Sequence, residues 1–554
     1  MRRLLIGMML AALTVGGQAV EPDSVTFRSP FDFPLLLSAN FGELRPNHFH
    51  DGIDIKTEGV TGKPIYSIAD GYVSRVLVQH GGYGQAVYVT HPNGYTSVYG
   101  HIVAFAPAVQ AFLREYQYAH ETFVCDVPIE PDRFPVKQGE LIALSGNEGA
   151  SAGPHLHLEL RRTADGTYVN PLPFFRHLLT DTKAPVPGWV GFYPVMGKGV
   201  VNGATAKKIV PVSALNQVYT AWGELYTAIS AKDYMDGTAN HYGVHSVTLY
   251  VDDVEVFNST TDEVAPDENR RINGFIDYED WWRNRRLLMR SGLLPGNRLR
   301  LIRTAAQRGI VTIDEERDYH FRYELEDDFG NRKTCRFTVR GKRQDIPESV
   351  PTSDRMLCWN KANVIQEPGM ELVVPKGYVY EDVELRTQVK GDTSGISSEY
   401  VLDMGRHPLH GYCDLSIGIR HFPVADLSKY YIVQQQGTWR ASMGGTVTDD
   451  GWVKAKVREL GTFAVAVDTV PPRVTPVGQN TWRTRRNLRF TVSDAETGIA
   501  SYKVYVDGEF VLFARKGSTL AIVDPERIRK GVPHTAEVVV TDGCGNETRK
   551  AYRF

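Results

Sequence analysis

Two widely separated stretches of the chain carry the same three landmarks in the same order, and this duplication restricts the fold more than any other feature. Asp181-Thr182-Lys183-Ala184-Pro185 is echoed by Asp468-Thr469-Val470-Pro471-Pro472. Ser246-Val247-Thr248-Leu249-Tyr250-Val251-Asp252 is echoed by Ser501-Tyr502-Lys503-Val504-Tyr505-Val506-Asp507. Asp327-Asp328-Phe329-Gly330-Asn331 is echoed by Asp542-Gly543-Cys544-Gly545-Asn546. Ordered landmarks that recur mark one structural unit used twice.

Within each copy apolar and polar residues alternate, as in strands with one buried face, and the last landmark is a turn leading into a charged, strand-like run. Both copies, 181–343 and 468–554, are expected to be β-sandwiches of immunoglobulin-like class. The first carries a polar and aromatic insertion from Asp267 to Arg290, whose Trp281 and Trp282 suit the packed face of a helix better than a grip on sugar or peptide. Between the copies, 346–467 reads as a further β domain, with strands at Glu371–Gly377 and Tyr430–Val433 and with Arg458–Val465 leading directly into the second boundary. No catalytic constellation occurs in 181–554. Positioning, or contact with a protein partner, is the role expected of those domains.

A chain of 554 residues suggests three or four domains at about 100–200 residues each. With 62 basic and 65 acidic side chains the net charge is -3, which gives no sign of a nucleic-acid partner. Arg2 and Arg3, the apolar run Leu4–Val15 and the small residues of Gly17-Gln18-Ala19 read as a signal peptide over 1–19. That run is shorter than the roughly 20 residues a spanning helix needs, and no longer one follows. No cysteine follows it, which argues against a lipid anchor. The protein is expected to be exported to the periplasm or cell envelope and not to be an integral membrane protein. Its five cysteines are scattered; if any pair bonds, Cys358 and Cys413 are the candidates, because they share one domain-sized segment.

The first folded unit, 28–178, consists of short β-prone runs at Ile65–Ile68, Gly71–Gln79, Gln85–His91, Tyr95–His101, Leu141–Ser145 and His155–Arg161. Glycine-rich turns separate them, so a mostly antiparallel β domain is expected. The exception is Pro107 to about His120, where Val109, Phe112, Leu113 and Tyr116 recur at helical spacing behind a first-turn proline. With its continuation to Phe134 it reads as an insertion.

This unit holds the chemistry. In a strand, His155 and His157 project from one face together with Glu159, while Leu156 and Leu158 point to the core; the histidine face is expected to be the solvent side. His50 and Asp54, four apart, would share a face of one strand, with Asp51 pointing away and Gly52 leaving clearance for a metal or substrate. Two histidines and one aspartate form a three-ligand zinc site with the fourth position open, the catalytic rather than the structural pattern. Such ligands leave the ion enough charge to acidify a water and polarise a peptide carbonyl. A proton acceptor and an oxyanion donor are then needed, and His101 with the remaining histidine of the pair can serve. Residue type does not decide which of His155 and His157 is the ligand. His48 lies just outside the set.

These segments, His50-Asp51-Gly52-Ile53-Asp54, Tyr99-Gly100-His101 and Gly153-Pro154-His155-Leu156-His157, resemble the lysostaphin/LytM-type zinc endopeptidases, also called the Gly-Gly endopeptidase family. Gly82-Tyr83-Gly84, His91-Pro92-Asn93-Gly94 and Val169-Asn170-Pro171 agree with it in order. The resemblance covers about 30–175. It implies an antiparallel β peptidase domain, His50, Asp54 and His157 as ligands of one Zn2+ per chain, and His101 and His155 as the catalytic histidines. It implies peptidoglycan stem peptides as substrate, hydrolysed through a metal-activated water. The alternative is a catalytically silent regulator of other cell-wall hydrolases, because some relatives have lost ligands; here the set is complete. The connection from about Ala104 to Phe134 is longer than usual in that family, and is expected to wall the substrate groove or cover it as a lid.

Overall fold

The computed structural model describes residues 27–391, 395–437 and 439–554. The signal peptide expected at 1–19 lies outside these residues. The first domain is built on an antiparallel sheet whose main strands are β1 (Leu37–Ala39), β2 (Ile53–Lys56), β3 (Gly71–Val78), β4 (Gln85–Thr90), β5 (Tyr95–Gly100), β6 (Cys125–Pro128) and β7 (His155–Arg162). Their spatial order is β1-β2-β7-β5-β4-β3-β6. The expected runs at Gly71–Gln79, Gln85–His91, Tyr95–His101 and His155–Arg161 fall within a residue or two of these strands, because valines and leucines repeat at the two-residue period of a pleated sheet; those at Ile65–Ile68 and Leu141–Ser145 overlap strands Pro64–Tyr66 and Leu141–Leu144 of a separate three-stranded sheet. Leu156, Leu158 and Leu160 are fully buried and share a core with Ile53, Ile55, Val87, Val89 and Tyr99.

Helix α1 (Pro107–Ala119) begins at the proline expected and buries Val109, Leu113 and Gln117, one residue per turn. Past it, β6 pairs along β3, so the insertion extends the sheet. Its polar side is bonded to the C-terminal unit: Asp524 accepts from Arg114 Nε (3.1 Å) and Tyr118 Oη (2.9 Å), and Glu121 accepts from Lys503 Nζ (2.6 Å) and Tyr505 Oη (2.9 Å). Held on both sides, the segment bridges the sheet and the last unit.

In the first copy of the repeat, long strands at Val186–Val201 and Tyr219–Lys232 join the others in one ten-stranded sheet folded over a single core. The second copy consists of two four-stranded sheets with a common core around Trp482 and Phe490. Two five-stranded sheets share the core between the copies. The repeat is visible in local geometry. Asp252 and Asp507 both take left-handed φ angles, 49° and 53°, at the corner of the same hairpin, and each donates its backbone N–H at 2.9 Å to the strand alongside. All five cysteines are free, including Cys358 and Cys413. Trp281 packs against the core as expected, from helix α2 (Tyr278–Asn284), whereas Trp282 is exposed and stacks on Arg406. No helix among the described residues is long and apolar enough to cross a membrane.

The first copy also braces the peptidase-like domain. Tyr168–Val169 pairs with Glu263–Val264 across the joint. The buried Asn40 side chain exchanges hydrogen bonds with the Gly243 backbone (2.8 and 2.9 Å), and Asp328 accepts from the amides of Asn40 (3.2 Å) and Asn170 (2.7 Å). Asn269, in the aromatic insertion, accepts from the Phe49 N–H (2.6 Å) and donates to Asp51. Replacing Asn269 with alanine orphans the buried Phe49 amide; a loss of about 1–3 kcal/mol is expected. It is to be read as a lower melting temperature together with faster hydrogen exchange at that amide. Unchanged exchange there contradicts the bracing role.

Candidate metal centre

Strand β7 assembles the site. It runs between β2 and β5 with His157 directly opposite Asp54 on one side and Gly100 on the other, so three segments far apart in sequence become adjacent. The buried leucines fix this register, since a one-residue slip would turn the histidines inward. Gly100 is where the His157 ring passes: a Cβ there would lie 3.5 Å from the ring carbon Cδ2 and 3.0 Å from Tyr83. The chain then turns, and His101 takes a left-handed φ of 61°, a strained conformation of the kind that collects at functional sites. His50 stands in the short link before β2, fixed by backbone bonds of 2.9 Å with Gly42 and Glu43.

Three atoms converge. His50 Nε2 is 3.0 Å from Asp54 Oδ1, His157 Nδ1 is 2.8 Å from that oxygen, and the two ring nitrogens are 3.0 Å apart. Ligands about 2.0 Å from a tetrahedral zinc stand about 3.3 Å from one another, so the trio is close to a coordination face. The surrounding bonds aim the lone pairs. His50 Nδ1 donates to the Asn40 carbonyl (2.7 Å), and His157 Nε2 donates to Glu159 Oε1 (2.9 Å). Both inner nitrogens are thereby acceptors, facing a carboxylate that also only accepts. Such a trio needs positive charge among its members.

The electrostatics agree. Burial pushes His50 down to about 4, keeping it neutral. Burial also works against charge on His157, but Asp54 and Glu159 outweigh it and pull that ring up to about 10. Asp54 is held well below the usual carboxylate range because the two imidazoles overcome its burial. A single proton therefore occupies, at neutral pH, the place a cation fits. An outer ring steadies the ligands: Arg45 Nη2 donates to the second oxygen of Asp54 (3.0 Å), while Tyr83 Oη (2.5 Å) and Arg161 Nε (2.7 Å) donate to Glu159.

His101 and His155 stand beside the trio with ring centroids 4.6 Å apart. Each donates Nδ1–H to a backbone carbonyl, His101 to Glu148 (2.7 Å) and His155 to Gly153 (2.8 Å), which leaves each Nε2 as an acceptor. His155 Nε2 is 3.6 Å from Asp54 Oδ1. Burial, reinforced by His157 and His155, lowers His101 to about 4, so it is a neutral imidazole.

All five expected residues come together, with three differences in how. The face carrying His157 and Glu159 is buried, because Tyr83 and Arg161 roof it. His50 and Asp54 do not share a strand; β2 begins only at Ile53. Gly52 makes room for β7 rather than for a ligand, since a Cβ there would be 2.4 Å from the Leu158 carbonyl oxygen. Asp51 points away as expected, toward Asn269, and His48 is exposed with its ring on the Pro46 carbonyl. Arg45 and the Asn40 carbonyl were not legible in the sequence: a lone arginine and a backbone oxygen carry no spacing signal. Glu159 lay on the predicted histidine face, without a role.

Residues 48–117 match peptidase family M23, and residues 354–468 match the Zu5-like domain. A protein of Haemophilus influenzae described as an uncharacterized metalloprotease is 37% identical over 131 residues, which span 24% of this chain and 21% of that one. The DD-carboxypeptidase/endopeptidase Mpg of Neisseria meningitidis is 32% identical over 158 residues, 28% of this chain and 29% of its own. The chain thus covers less than a third of these relatives. Among solved structures, the catalytic domain of lysostaphin from Staphylococcus simulans is 19% identical, covering 26% of this chain and 92% of that one at a TM-score of 0.19. The catalytic domain of the M23 protein EnpA from Enterococcus faecalis is 27% identical, covering 26% and 94% at a TM-score of 0.20.

Two outcomes test the geometry. Glu159→Gln weakens the orienting bond to His157 and is expected to lower zinc affinity about 10–100-fold, measured by competition with a chelating dye. Metal uptake must displace the proton held with a pKa of about 10 at His157. Loading near neutral pH is therefore expected to release about one proton, and affinity to rise about tenfold per pH unit between roughly pH 6 and 9. Calorimetry in buffers of different ionisation enthalpy measures the release.

Proposed function

We propose, from the match of residues 48–117 to peptidase family M23, that the protein is a zinc-dependent endopeptidase of LytM type cutting peptide cross-links of bacterial peptidoglycan. The observation that carries the reading is the convergence of three acceptor atoms, 2.8–3.0 Å apart, beside two further imidazoles with free Nε2 atoms. His50, Asp54 and His157 would hold one zinc ion, which when bound polarises a peptide carbonyl and acidifies water.

The rest falls to the chain's own residues. His101 and His155, their rings fixed through Nδ1, each present a lone pair at Nε2 that can take the proton of an attacking water. Once protonated, the same atoms become donors, able to stabilise a developing oxyanion and to return a proton to the leaving amine. Arg45 and Glu159 act on geometry, by orienting Asp54 and His157.

Peptidoglycan stem peptides are the proposed substrate on the strength of the family, and an M23 relative bears the name DD-carboxypeptidase/endopeptidase. The basic and apolar start of the chain supports placing that work in the periplasm or cell envelope. The complete ligand set favours an active enzyme over a silent regulator.

Zinc-loaded full-length protein is expected to release peptide fragments from purified sacculi, detected by mass spectrometry. His101→Ala and His155→Ala are each expected to lose at least about a hundredfold in rate with zinc retained. His50→Ala should lose both metal and activity. Loaded, folded protein that leaves every cross-link intact, yet stimulates another wall hydrolase, establishes the regulator instead.

A further inference from the structure

Outside the histidine centre, two trios of aspartates occupy equivalent places in the duplicated units. Asp181, Asp233 and Asp327 each bring a carboxylate oxygen within 4.8 Å of the others, and so do Asp468, Asp494 and Asp542. Both trios join the lead-in to a unit, the end of a strand and the closing turn. Asp233 directly follows the strand Tyr219–Lys232, as Asp494 follows Arg489–Ser493.

Much of the scaffolding is repeated. Asp181 accepts from the N–H two residues on, at Lys183 (3.0 Å), and Asp468 does so from Val470 (3.0 Å). Asp327 accepts from the N–H groups of Phe329 and Asn331 and from the Asn331 amide, all at 2.8 Å. Asp542 accepts from Cys544 and Asn546 N–H (2.9 Å each) and from the Asn546 amide (2.8 Å). That amide also reaches back to the first aspartate's carbonyl, at 3.2 Å in one copy and 3.0 Å in the other.

In the first copy these bonds hold the carboxylates in place without using them up, whereas in the second Asp494 Oδ1 accepts from the N–H groups of Glu496, Thr497 and Gly498, and Asp468 Oδ2 accepts from Thr497 Oγ1. Asp233 is only 3% exposed, yet its buried Oδ1 has no hydrogen-bond partner, and neither has Asp181 Oδ2. Nearby basic groups are engaged elsewhere: Lys183 leans on Asp236 (3.8 Å) and His245 on Asp328 (3.1 Å). Buried anionic oxygens facing one another with no counter-charge are costly, and a bound cation removes the cost.

We propose that Asp181, Asp233 and Asp327 form a calcium site. Donors that are all oxygen select a hard cation over zinc, whose ligands here are imidazoles and one carboxylate. Oxygens on opposite sides of calcium, each about 2.4 Å from it, stand up to about 4.8 Å apart, and the carboxylate oxygens of the trio lie within that distance of one another. The cation would tie the start of the unit to its closing turn. In the first copy that turn continues into Asp328, which grips Asn40, whose carbonyl in turn orients His50.

Calorimetric titration of calcium chloride into calcium-free, full-length protein decides the matter. One equivalent is expected, lost in Asp233→Asn and kept in His50→Ala. Asparagine is isosteric and cannot ionise, whereas burial and the neighbouring carboxylates push Asp233 up to about 8. Without calcium, Asp233→Asn should therefore melt at or above the unaltered protein, whereas a merely structural aspartate would lower it; calcium should raise the melting temperature only of the unaltered chain at that site. No calcium uptake up to about 1 mM, where even weak extracellular modules bind, or uptake that survives Asp233→Asn, overturns the proposal.

Discussion

The pairing of strand β7 with β2 and β5 is the interaction on which the site depends. His157 lies opposite Asp54 on one side and Gly100 on the other, so a single register sets the distances among ligand, ligand and neighbouring imidazole. Fully buried leucines at 156, 158 and 160 make that register costly to shift. The ladder does not set the lone-pair directions. Those come from a second layer, in which Asn40 and Glu159 take the outer N–H of His50 and His157, while Gly153 and Glu148 do so for the other two rings.

That second layer extends beyond the first domain. Asn40 is clamped by Gly243 and Asp328, and the link carrying His50 is steadied by Asn269, all from the first copy of the repeated unit. The last unit holds helix α1 through Asp524, Lys503 and Tyr505. The β-rich remainder of the chain is thus bonded into the geometry of the histidine centre at several points. In physical terms, rigid neighbours limit the freedom of residues whose positions must hold within fractions of an ångström.

The duplication has a comparable logic. Both copies close with an aspartate accepting from its turn and from the asparagine four residues on, and both turn their hairpin at an aspartate with positive φ. Sheet layout differs between them: one ten-stranded sheet in the first copy, two four-stranded sheets in the second. Short hydrogen-bonded turns survive changes in strand length that rearrange a whole sheet, because they depend on only a few adjacent residues.

The sequence by itself determined the ligand candidates, the antiparallel β class, helix α1 and the repeat. These depend on periodicity and on residues near one another in the chain: the alternation in His155–Leu160, the proline and helical spacing after Ala106, the paired aspartate turns. Only the tertiary structure decided that the histidine face is buried, that Gly52 clears the Leu158 carbonyl, and that Arg45, Asn40 and Asn269 support the centre. It also placed His157 Nδ1 2.8 Å from Asp54 Oδ1 and His155 Nε2 3.6 Å from the same oxygen. Some of these contacts span a hundred residues or more, as from Asn269 to Phe49, and others only nine or ten, as from Arg45 to Asp54 and Asn40 to His50, but all are made by backbone oxygens or single side chains that leave no periodic trace. The segment His50–Asp54 names two of the three converging residues; their partner, His157, is brought in by strand β7 beside β2.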